Sequence, residues 1–207
     1  MPDAPSIHYR LRDLPQDPFE LYAAWYERAE AADAIQYPSA MCLSTVDAEG
    51  GPQGRFVIAH RLEKAFVFLT DSRSPKARAL AADRRAALTA YWGWPLENQV
   101  RIEGEIDETS AATNDMLFEQ RPKGSQATPW ASRQSEVTSL DRLEDRLAEI
   151  DRKWADSDSL PRPEHWVGYR LLPSMFEFWA ARPRRLHDRF RYTRRPGGDW
   201  DRVRLAP

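Results

Sequence analysis

Short runs of strand-forming residues, most of them separated only by turn signals, recur along this chain of 207 residues. Residues 47–51 and the pair Gly197 and Gly198 are such signals, and each is too short a connection to contain a helix. About eight short strands are predicted from nine candidate runs, at residues 40–46, 53–60, 66–70, 86–92, 98–106, 166–172, 176–179, 185–190 and 200–205. Because strands and helices do not alternate regularly, we predict the α+β class: a mainly antiparallel sheet, closed as a barrel, with surrounding helices.

Three or four helices are predicted between the strands. Asp17 and Ser74 each stand directly before a proline, which is the arrangement of an N-cap residue followed by proline at the first helical position. The first three predicted helices run from Asp17 to about Ala32, from Ser74 to about Ala82, and from Thr109 or Ser110 to about Gln120.

A fourth helix is indicated by apolar side chains that recur at helical spacing on one face. These are Leu140, Leu143, Leu147, Ile150 and Trp154. The apolar face is narrow, so it suits packing on a sheet or against a partner subunit.

The bulk properties limit the organisation, partners and compartment of the chain. We predict an extended or loosely ordered arm over residues 1–16 and a single domain over residues 17–207. A net charge of -2 and the absence of a recognised nucleic-acid-binding motif argue against binding to nucleic acid. No apolar run is long enough for a signal peptide or a membrane span. The single cysteine, Cys42, cannot form an internal disulfide, and the four histidines lack metal-ligand spacing. A cytoplasmic protein without a metal site is therefore expected.

Positive charge is concentrated near the end of the chain. Residues 182–195 contain seven arginines and one aspartate. If residues 185–190 form a strand, then Arg185, His187 and Arg189 point to one face while Leu186 and Phe190 point to the other. Such a face can bind an anion, although a solvated edge strand is an equally good interpretation of this segment alone.

A second candidate anion site lies where a predicted strand ends and a helix begins. Thr70, Ser72, Ser74 and Lys76 follow one another at this point, and Arg55 begins an earlier strand. Hydroxyls, an ammonium group and free amides at a helix N-terminus can hold a phosphate. Helix capping and solubility are the simpler interpretation of this spacing.

Five motifs occur in order along the chain. They are the strand begun by Arg55, Gln99-Val100, Trp130-Ala131-Ser132-Arg133-Gln134-Ser135, Glu177-Phe178-Trp179, and Arg185-Leu186-His187-Asp188-Arg189-Phe190. Together they resemble the pyridoxamine 5′-phosphate oxidase family, and the similarity runs from Asp17-Pro18 to Pro207. The resemblance implies a split barrel and a homodimer with one FMN per subunit at the dimer interface.

The resemblance also implies which residues form the site. The FMN contacts that it implies are Arg55, Phe56, Val57, Ile58, Leu69, Thr70, Lys76, Gln99, Gln134, Ser135, Trp179 and Arg189. The substrate contacts that it implies are His60, Leu117, Arg121, Ser125, Arg185 and His187, with Arg185 and His187 as the catalytic pair over the substrate. Hydride would pass from a substrate carbon to the flavin, and dioxygen would reoxidise the flavin.

The chain departs from the family pattern at four positions. The family has Lys at the position of His60 and Tyr at the position of Leu117, and both help to hold the substrate phosphate. It also has Arg at the position of Pro75 and Tyr at the position of Leu69. Losing a charged contact to a phosphate costs about 2–3 kcal/mol.

Three functions are compatible with this pattern. The first, which the clustered departures favour slightly, is a specialised oxidase of secondary metabolism, similar to the phenazine-biosynthesis branch, that oxidises a reduced aromatic intermediate. The second is an ordinary pyridoxine/pyridoxamine 5′-phosphate oxidase, in which Arg121, Ser125 and Arg185 compensate for the missing groups. The third is a flavin-binding module without turnover, against which the intact Arg185, His187 and Arg189 argue.

Overall fold

The computed structural model describes residues 9–207. This part of the chain contains nine strands and five α-helices. The strands are β1 (Ala40–Val46), β2 (Pro52–Ile58), β3 (His60–Leu62), β4 (Ala65–Asp71), β5 (Arg85–Trp92), β6 (Asn98–Glu108), β7 (Trp166–Ala180), β8 (Asp188–Arg194) and β9 (Trp200–Arg204). The helices are α1 (Pro18–Glu30), α2 (Pro75–Ala82), α3 (Ala111–Glu119), α4 (Lys123–Ala131) and α5 (Leu140–Lys153).

The strands form one antiparallel sheet in the order β2-β1-β5-β6-β7-β4-β3, with β8 attached to β7 and β9 attached to β8. The long strand β7 connects the two parts of the sheet, because its first half pairs with β4 and its second half with β8. Strand β6 runs along nearly the whole of β7 on one side. The predicted α+β fold with an antiparallel split barrel is therefore confirmed.

Strand β7 is continuous, although two separate strands were predicted on either side of Pro173. Its partner β6 shifts register between Glu103 and Gly104, and Gly104 faces Pro173 across the ladder. A bulge of this kind accommodates a residue that cannot donate a backbone hydrogen bond. The prediction of a break was wrong because it considered one strand without its partner.

Helix α1 begins where the sequence predicts and closes over the core of the sheet. The Asp17 carboxylate accepts a hydrogen bond of 2.9 Å from the amide of Phe19. On the buried face, the Phe19 ring lies 5.0 Å from Phe176, and the Trp25 ring lies 5.3 Å from Phe178. These aromatic contacts hold the helix against β7, the strand that also carries part of the candidate site.

The structure contains one helix that the sequence analysis missed. Helix α3 begins after its N-cap, Ser110, as predicted, but a second helix, α4, follows directly after Pro122. From the sequence alone, the proline and glycine between Arg121 and Ser125 indicate only the end of a helix. Proline immediately before the first turn is compatible with a helix, so the segment ends α3 and also begins α4.

The prediction that Arg185 and His187 lie in a strand was wrong. Strand β8 begins at Asp188, and Pro183–Arg185 form a 3-10 turn in which Arg184 and Arg185 have φ angles of 58° and 60°. Residues 181–187 are needed to reverse the chain between β7 and β8, so they cannot also belong to the ladder. Similarly, the strand predicted over residues 53–60 is divided, since β2 ends at Ile58 and His60 begins β3.

The amphipathic helix α5 forms as predicted, but no side chain on it is buried in the described part of the chain, and Leu140 is 67% exposed. Just beyond its end, the Trp154 ring lies 5.1 Å from Trp130 of α4. Packing of α5 on the sheet is therefore not observed, and packing on a partner subunit stays a prediction.

Half of the predicted arm, residues 1–8, lies outside the described residues. In the remainder, Leu14 is buried and the Tyr9 hydroxyl accepts a hydrogen bond of 2.9 Å from the Trp25 indole. Over residues 9–207, no helix combines the length and apolar character needed to cross a membrane, and no group of three potential metal ligands is found. The division into an arm and one domain stays a prediction.

Candidate functional site

Lys76 is the centre of a buried polar group at the start of α2. Its side chain emerges from the first turn of the helix, after the N-cap Ser74, and the residue is 7% exposed. The ammonium group donates hydrogen bonds of 2.6 Å to Gln134 Oε1 and 3.2 Å to Thr70 Oγ1. Thr70 in turn donates to Gln134 Oε1 over 2.7 Å. The structure thus brings Gln134 to the predicted site residues Thr70 and Lys76, although it is 58 residues from Lys76 in the sequence.

The electrostatics of this group favour a bound anion. Burial, followed by the nearby charge of Arg55, lowers the pKa of Lys76 to about 8. Within residues 9–207, neither Lys76 nor Arg55 forms an ion pair with a carboxylate. Two adjacent cations that contact only neutral oxygens are suited to a phosphate group, which would supply the missing negative charge.

Arg55 is held in place by neutral acceptors on β1 and β2. Its guanidinium donates to Thr45 Oγ1 over 2.7 Å, to the Leu43 carbonyl over 3.2 Å and to Gln53 Oε1 over 2.9 Å. Because these partners are uncharged, they fix the position of the guanidinium without neutralising its charge.

Asp71 is a buried carboxylate that the sequence analysis did not identify. Arg73 donates to it from Nε and NH2 over 2.9 and 2.8 Å, and the Gln134 amide approaches it at 3.5 Å. Although burial favours the protonated form, the hydrogen bonds from Arg73 lower the pKa of Asp71 to about 2. Asp71 therefore supports the loop that carries Gln134. The available sequence signal was an acidic residue at the end of an apolar strand, directly before a turn.

The lowered pKa of Lys76 leads to a testable pH dependence. A phosphate binds best to the protonated lysine, so we expect the affinity of the cofactor-free protein for a phosphorylated flavin to fall as pH rises above about 8. The decrease should approach tenfold per pH unit, and flavin fluorescence quenching between pH 7 and 9.5 would measure it. Lys76→Arg stays charged over this range and should remove most of the slope. An equally steep slope in this variant, or none in the wild type, would contradict the assignment.

Lys76 also makes the stability of the cofactor-free protein depend on pH, but stability rises with pH where the affinity for flavin falls. The pKa of Lys76 in the folded chain, about 8, lies below its ordinary value of 10.5. Between these two pH values the unfolded chain binds more protons than the folded chain. The contribution of Lys76 to the free energy of unfolding therefore rises with pH across this window.

A second group of predicted site residues lies in a row across β6, β7 and β8. The register aligns Gln99 with Trp179 and Trp179 with Arg189, so the three side chains share one face of the sheet. Arg189 donates to Glu177 Oε1 from Nε and NH2 over 2.9 and 2.7 Å, and Arg101 donates to Glu177 Oε2 over 2.8 Å. Burial would raise the pKa of Glu177, but these two arginines hold it below its usual value.

His187 joins this second group from the loop before β8. Its ring lies 4.6 Å from the ring of Trp179, and its Nδ1 accepts a hydrogen bond of 3.2 Å from the Arg182 amide. Arg185 is exposed in the same loop, in a left-handed backbone conformation. The structure brings His187 and Trp179 into contact, whereas the Arg185 side chain forms no hydrogen bond or ion pair within residues 9–207.

The remaining predicted flavin contacts occupy less defined positions. Phe56 and Ile58 of β2 are 73% and 49% exposed, while Val57 is half-buried and points to the opposite face. Leu69 is half-buried next to Thr70, and Ser135 is exposed with a φ angle of 69°. Among these residues, Leu69 and Ser135 adjoin the Lys76 group along the chain.

The other predicted substrate residues lie on α3, in the connection from α3 to α4, on α4 and on the edge strand β3. The Arg121 guanidinium lies 5.3 Å from the Trp166 ring and donates to the Ser125 carbonyl over 3.0 Å. Its Nε is buried and has no partner in residues 9–207. Leu117 is half-buried one helical turn before Arg121, and His60 is exposed on β3. A half-buried arginine without a carboxylate partner suits an anionic substituent of a ligand.

Comparisons with known proteins match almost the whole chain. Residues 28–153 match a family model described as pyridoxamine 5′-phosphate oxidase, and residues 166–207 match one described as the pyridoxine 5′-phosphate oxidase C-terminal dimerisation region. A pyridoxine/pyridoxamine 5′-phosphate oxidase from Thermosynechococcus vestitus is 47% identical over 94% of this chain and 91% of its own length. One from Pseudomonas paraeruginosa is 48% identical over 94% of this chain and 91% of its own length.

A solved structure is also similar over its full length. PhzG from Burkholderia lata 383, crystallised in complex with tetrahydrophenazine-1-carboxylic acid, has a TM-score of 0.88 at 32% identity and covers 99% of this chain and 100% of its own. An FMN-binding protein from Nostoc punctiforme has a TM-score of 0.73 at 16% identity, covers 94% of this chain and 100% of its own, and is similar in fold.

Proposed function

Because the chain belongs to the pyridoxamine 5′-phosphate oxidase family, we propose that it is an FMN-dependent oxidase of a small reduced substrate, with dioxygen as the final acceptor. The neighbouring cations of the buried Lys76 and the half-buried Arg55 carry the FMN part of this proposal, since neither forms an ion pair in residues 9–207 and together they fit a flavin phosphate. Thr70 would add a hydroxyl at the same place. Gln99 and Gln134 would hydrogen-bond the polar edges of the ring system.

We further propose a homodimer in which each flavin lies between two chains. Residues 166–207, which match a dimerisation region, include Trp179, His187 and Arg189. The Lys76 group lies outside this region. No hydrogen bond or ion pair in the described chain joins it to the second group of site residues, here called the Trp179 group, which consists of Gln99, Trp179, His187 and Arg189. A second chain would bring its own Trp179 group to the Lys76 group of the first.

The protein would contribute position and charge to the reaction. Bound FMN supplies the hydride acceptor and passes the electrons on to dioxygen. His187 accepts the Arg182 amide at Nδ1, so its neutral ring carries the proton at Nε2, where it can donate to the substrate. Arg185 would orient an anionic or electron-rich part of the substrate from the same loop.

For the substrate, we propose a reduced aromatic ring that bears a carboxylate. Leu117 presents an apolar side chain one turn from Arg121, so these two positions together offer one cation and no hydroxyl. This arrangement fits a singly charged carboxylate on a hydrophobic ring better than a doubly charged phosphate. PhzG, at 32% identity, was crystallised with a ligand of this class.

Pyridoxine or pyridoxamine 5′-phosphate is the second candidate substrate. The relatives named pyridoxine/pyridoxamine 5′-phosphate oxidase are more similar, at 47% and 48% identity. Arg121, Ser125 and Arg185 are all retained and could hold a phosphate without Leu117 and His60.

The two candidates differ in a rate that can be measured. Oxygen uptake by the FMN-loaded protein would be recorded with tetrahydrophenazine-1-carboxylic acid and with pyridoxine 5′-phosphate. The proposed substrate class predicts a kcat/KM that is about 100-fold higher for the carboxylic acid. A higher value for pyridoxine 5′-phosphate would establish the second candidate. Uptake with neither, in protein that binds FMN, would favour a flavin-binding module without turnover.

Restoring the family's phosphate contacts should change the specificity. Leu117→Tyr combined with His60→Lys is expected to lower the Kd for pyridoxine 5′-phosphate about 30-fold, because the pair adds one hydroxyl and one full charge. Equilibrium titration of the FMN-loaded protein measures this constant. Leu62→Tyr, on the exposed strand β3, serves as a control for an added tyrosine. An unchanged constant in the double variant would mean that the substrate phosphate binds elsewhere.

A further inference from the structure

Asp188 is the one acidic residue in the arginine-rich segment 182–195, and it is almost completely buried. It is the first residue of β8 and lies between His187 and Arg189. Its Oδ1 accepts hydrogen bonds of 2.9 Å from Arg182 NH1 and 2.6 Å from Arg204 NH2. Its Oδ2 is buried and has no partner in residues 9–207. The stability of this buried charge therefore depends on two guanidinium groups.

These two arginines belong to different parts of the fold. Arg182 lies in the loop of residues 181–187, which connects β7 to β8 and carries Arg185 and His187. Arg204 is the last residue of β9 and does not belong to this loop. The same carboxylate oxygen thus connects the loop to the hairpin of β8 and β9.

The loop is closed at its base through Arg182. The Arg182 amide donates to His187 Nδ1 over 3.2 Å, while its side chain donates to Asp188. Before this point, the Ala181 amide donates to the Glu97 carbonyl over 3.0 Å. Between these anchors, Arg184 and Arg185 adopt left-handed conformations, which are unfavourable for residues other than glycine. Such a loop keeps its shape only when the contacts at its base persist.

We infer that Asp188 is a positioning residue: through the side chain of Arg182, it holds the Arg182 amide against His187 Nδ1. The contact fixes both the orientation of the imidazole and the tautomer that carries its proton at Nε2. The importance of this tautomer for turnover rests on the proposed function, whereas the contact itself does not.

The two arginine partners provide a matched pair of variants. Arg182→Met and Arg204→Met each remove one guanidinium from Asp188 Oδ1, but only the first change lies in the loop. Both variants should lose stability, because each leaves a buried carboxylate with one partner. We expect kcat to fall about tenfold in Arg182→Met and to stay within about twofold of the wild type in Arg204→Met, with FMN content unchanged in both.

The tautomer of His187 can be observed directly in the FMN-loaded protein by ¹⁵N–¹H correlation spectroscopy, with His187→Gln used to assign the signal. The wild type and Arg204→Met should show protonation at Nε2 alone. Arg182→Met should show a mixture of the two tautomers. Asp188→Asn, which keeps the shape of the side chain and removes its charge, should resemble Arg182→Met.

The tautomer of His187 and the kcat together distinguish a failure of this inference from a failure of the proposed function. If both methionine variants keep the Nε2 tautomer, or lose it equally, then Asp188 acts only on stability and the inference is overturned. If the tautomers change as expected but no variant and no wild-type protein turns over either substrate, the positioning of His187 stands and the proposed function fails.

Discussion

Replacing Lys76 by methionine is expected to give a protein that loses its yellow colour on purification. The ammonium group would be the main partner of the flavin phosphate on α2, and methionine fills a similar volume without a charge. Losing a charged hydrogen bond to a phosphate costs about 2–3 kcal/mol, which corresponds to a rise of about 30- to 140-fold in the Kd for FMN. Fluorescence titration of the cofactor-free variant measures this constant.

Lys64→Met provides the matched control for this experiment. Lys64 is an exposed lysine in the turn before β4 and forms an ion pair with Asp17, away from the Lys76 group. This variant should bind FMN as the wild type does. Full FMN occupancy in Lys76→Met would contradict the assignment of the phosphate site. An equal loss of FMN in Lys64→Met would mean that the effect is not specific to Lys76.

Replacing Gly104 by alanine is expected to cause the largest loss of stability among conservative changes to the sheet. A Cβ at this position would overlap the Leu172 carbonyl oxygen and lie 2.8 Å from the Leu172 carbonyl carbon. Both atoms belong to the backbone of β7, so the ladder itself would have to move. We expect the free energy of unfolding to fall by about 3 kcal/mol, measured by denaturant unfolding of the cofactor-free protein.

Gly197→Ala is the control for the Gly104 substitution. Nothing lies within 4 Å of a Cβ added at Gly197, which is in the turn between β8 and β9. Its effect should stay within about 0.5 kcal/mol. A comparably small effect of Gly104→Ala would mean that the bulge beside Pro173 is more adaptable than its backbone contacts indicate.

The fold and the Lys76 group were largely predictable because their signals are local. Capping residues followed by proline correctly identified the starts of α1 and α2, and turn residues separated most of the strands. The position of Lys76 in the first helical turn follows from the same cap. Its contact with Gln134, more than fifty residues away, was available only through the resemblance of the motifs.

The remaining errors arose where one segment depends on another. Arg185 was predicted in a strand because the alternation of residues 185–190 was considered without the length of the connection from β7. Two strands were predicted on either side of Pro173 because the bulge next to this proline, at Ser174, is recognisable only from the pairing of β7 with β6. Asp71 was missed, and the support that Glu177 and Asp188 give to nearby arginines was not predicted, since buried carboxylates are recognisable only when their partners are known.

We propose that this protein transfers hydride from a substrate to a flavin that it binds through Lys76 and Arg55. The most direct test is anaerobic mixing of the FMN-loaded protein with tetrahydrophenazine-1-carboxylic acid or pyridoxine 5′-phosphate in a stopped-flow spectrometer. We predict rapid loss of the oxidised flavin absorbance with one of the two, and its return when oxygen is admitted. If neither substrate bleaches a flavin that a chemical reductant does bleach, the proposed oxidase activity on these two substrate classes is contradicted.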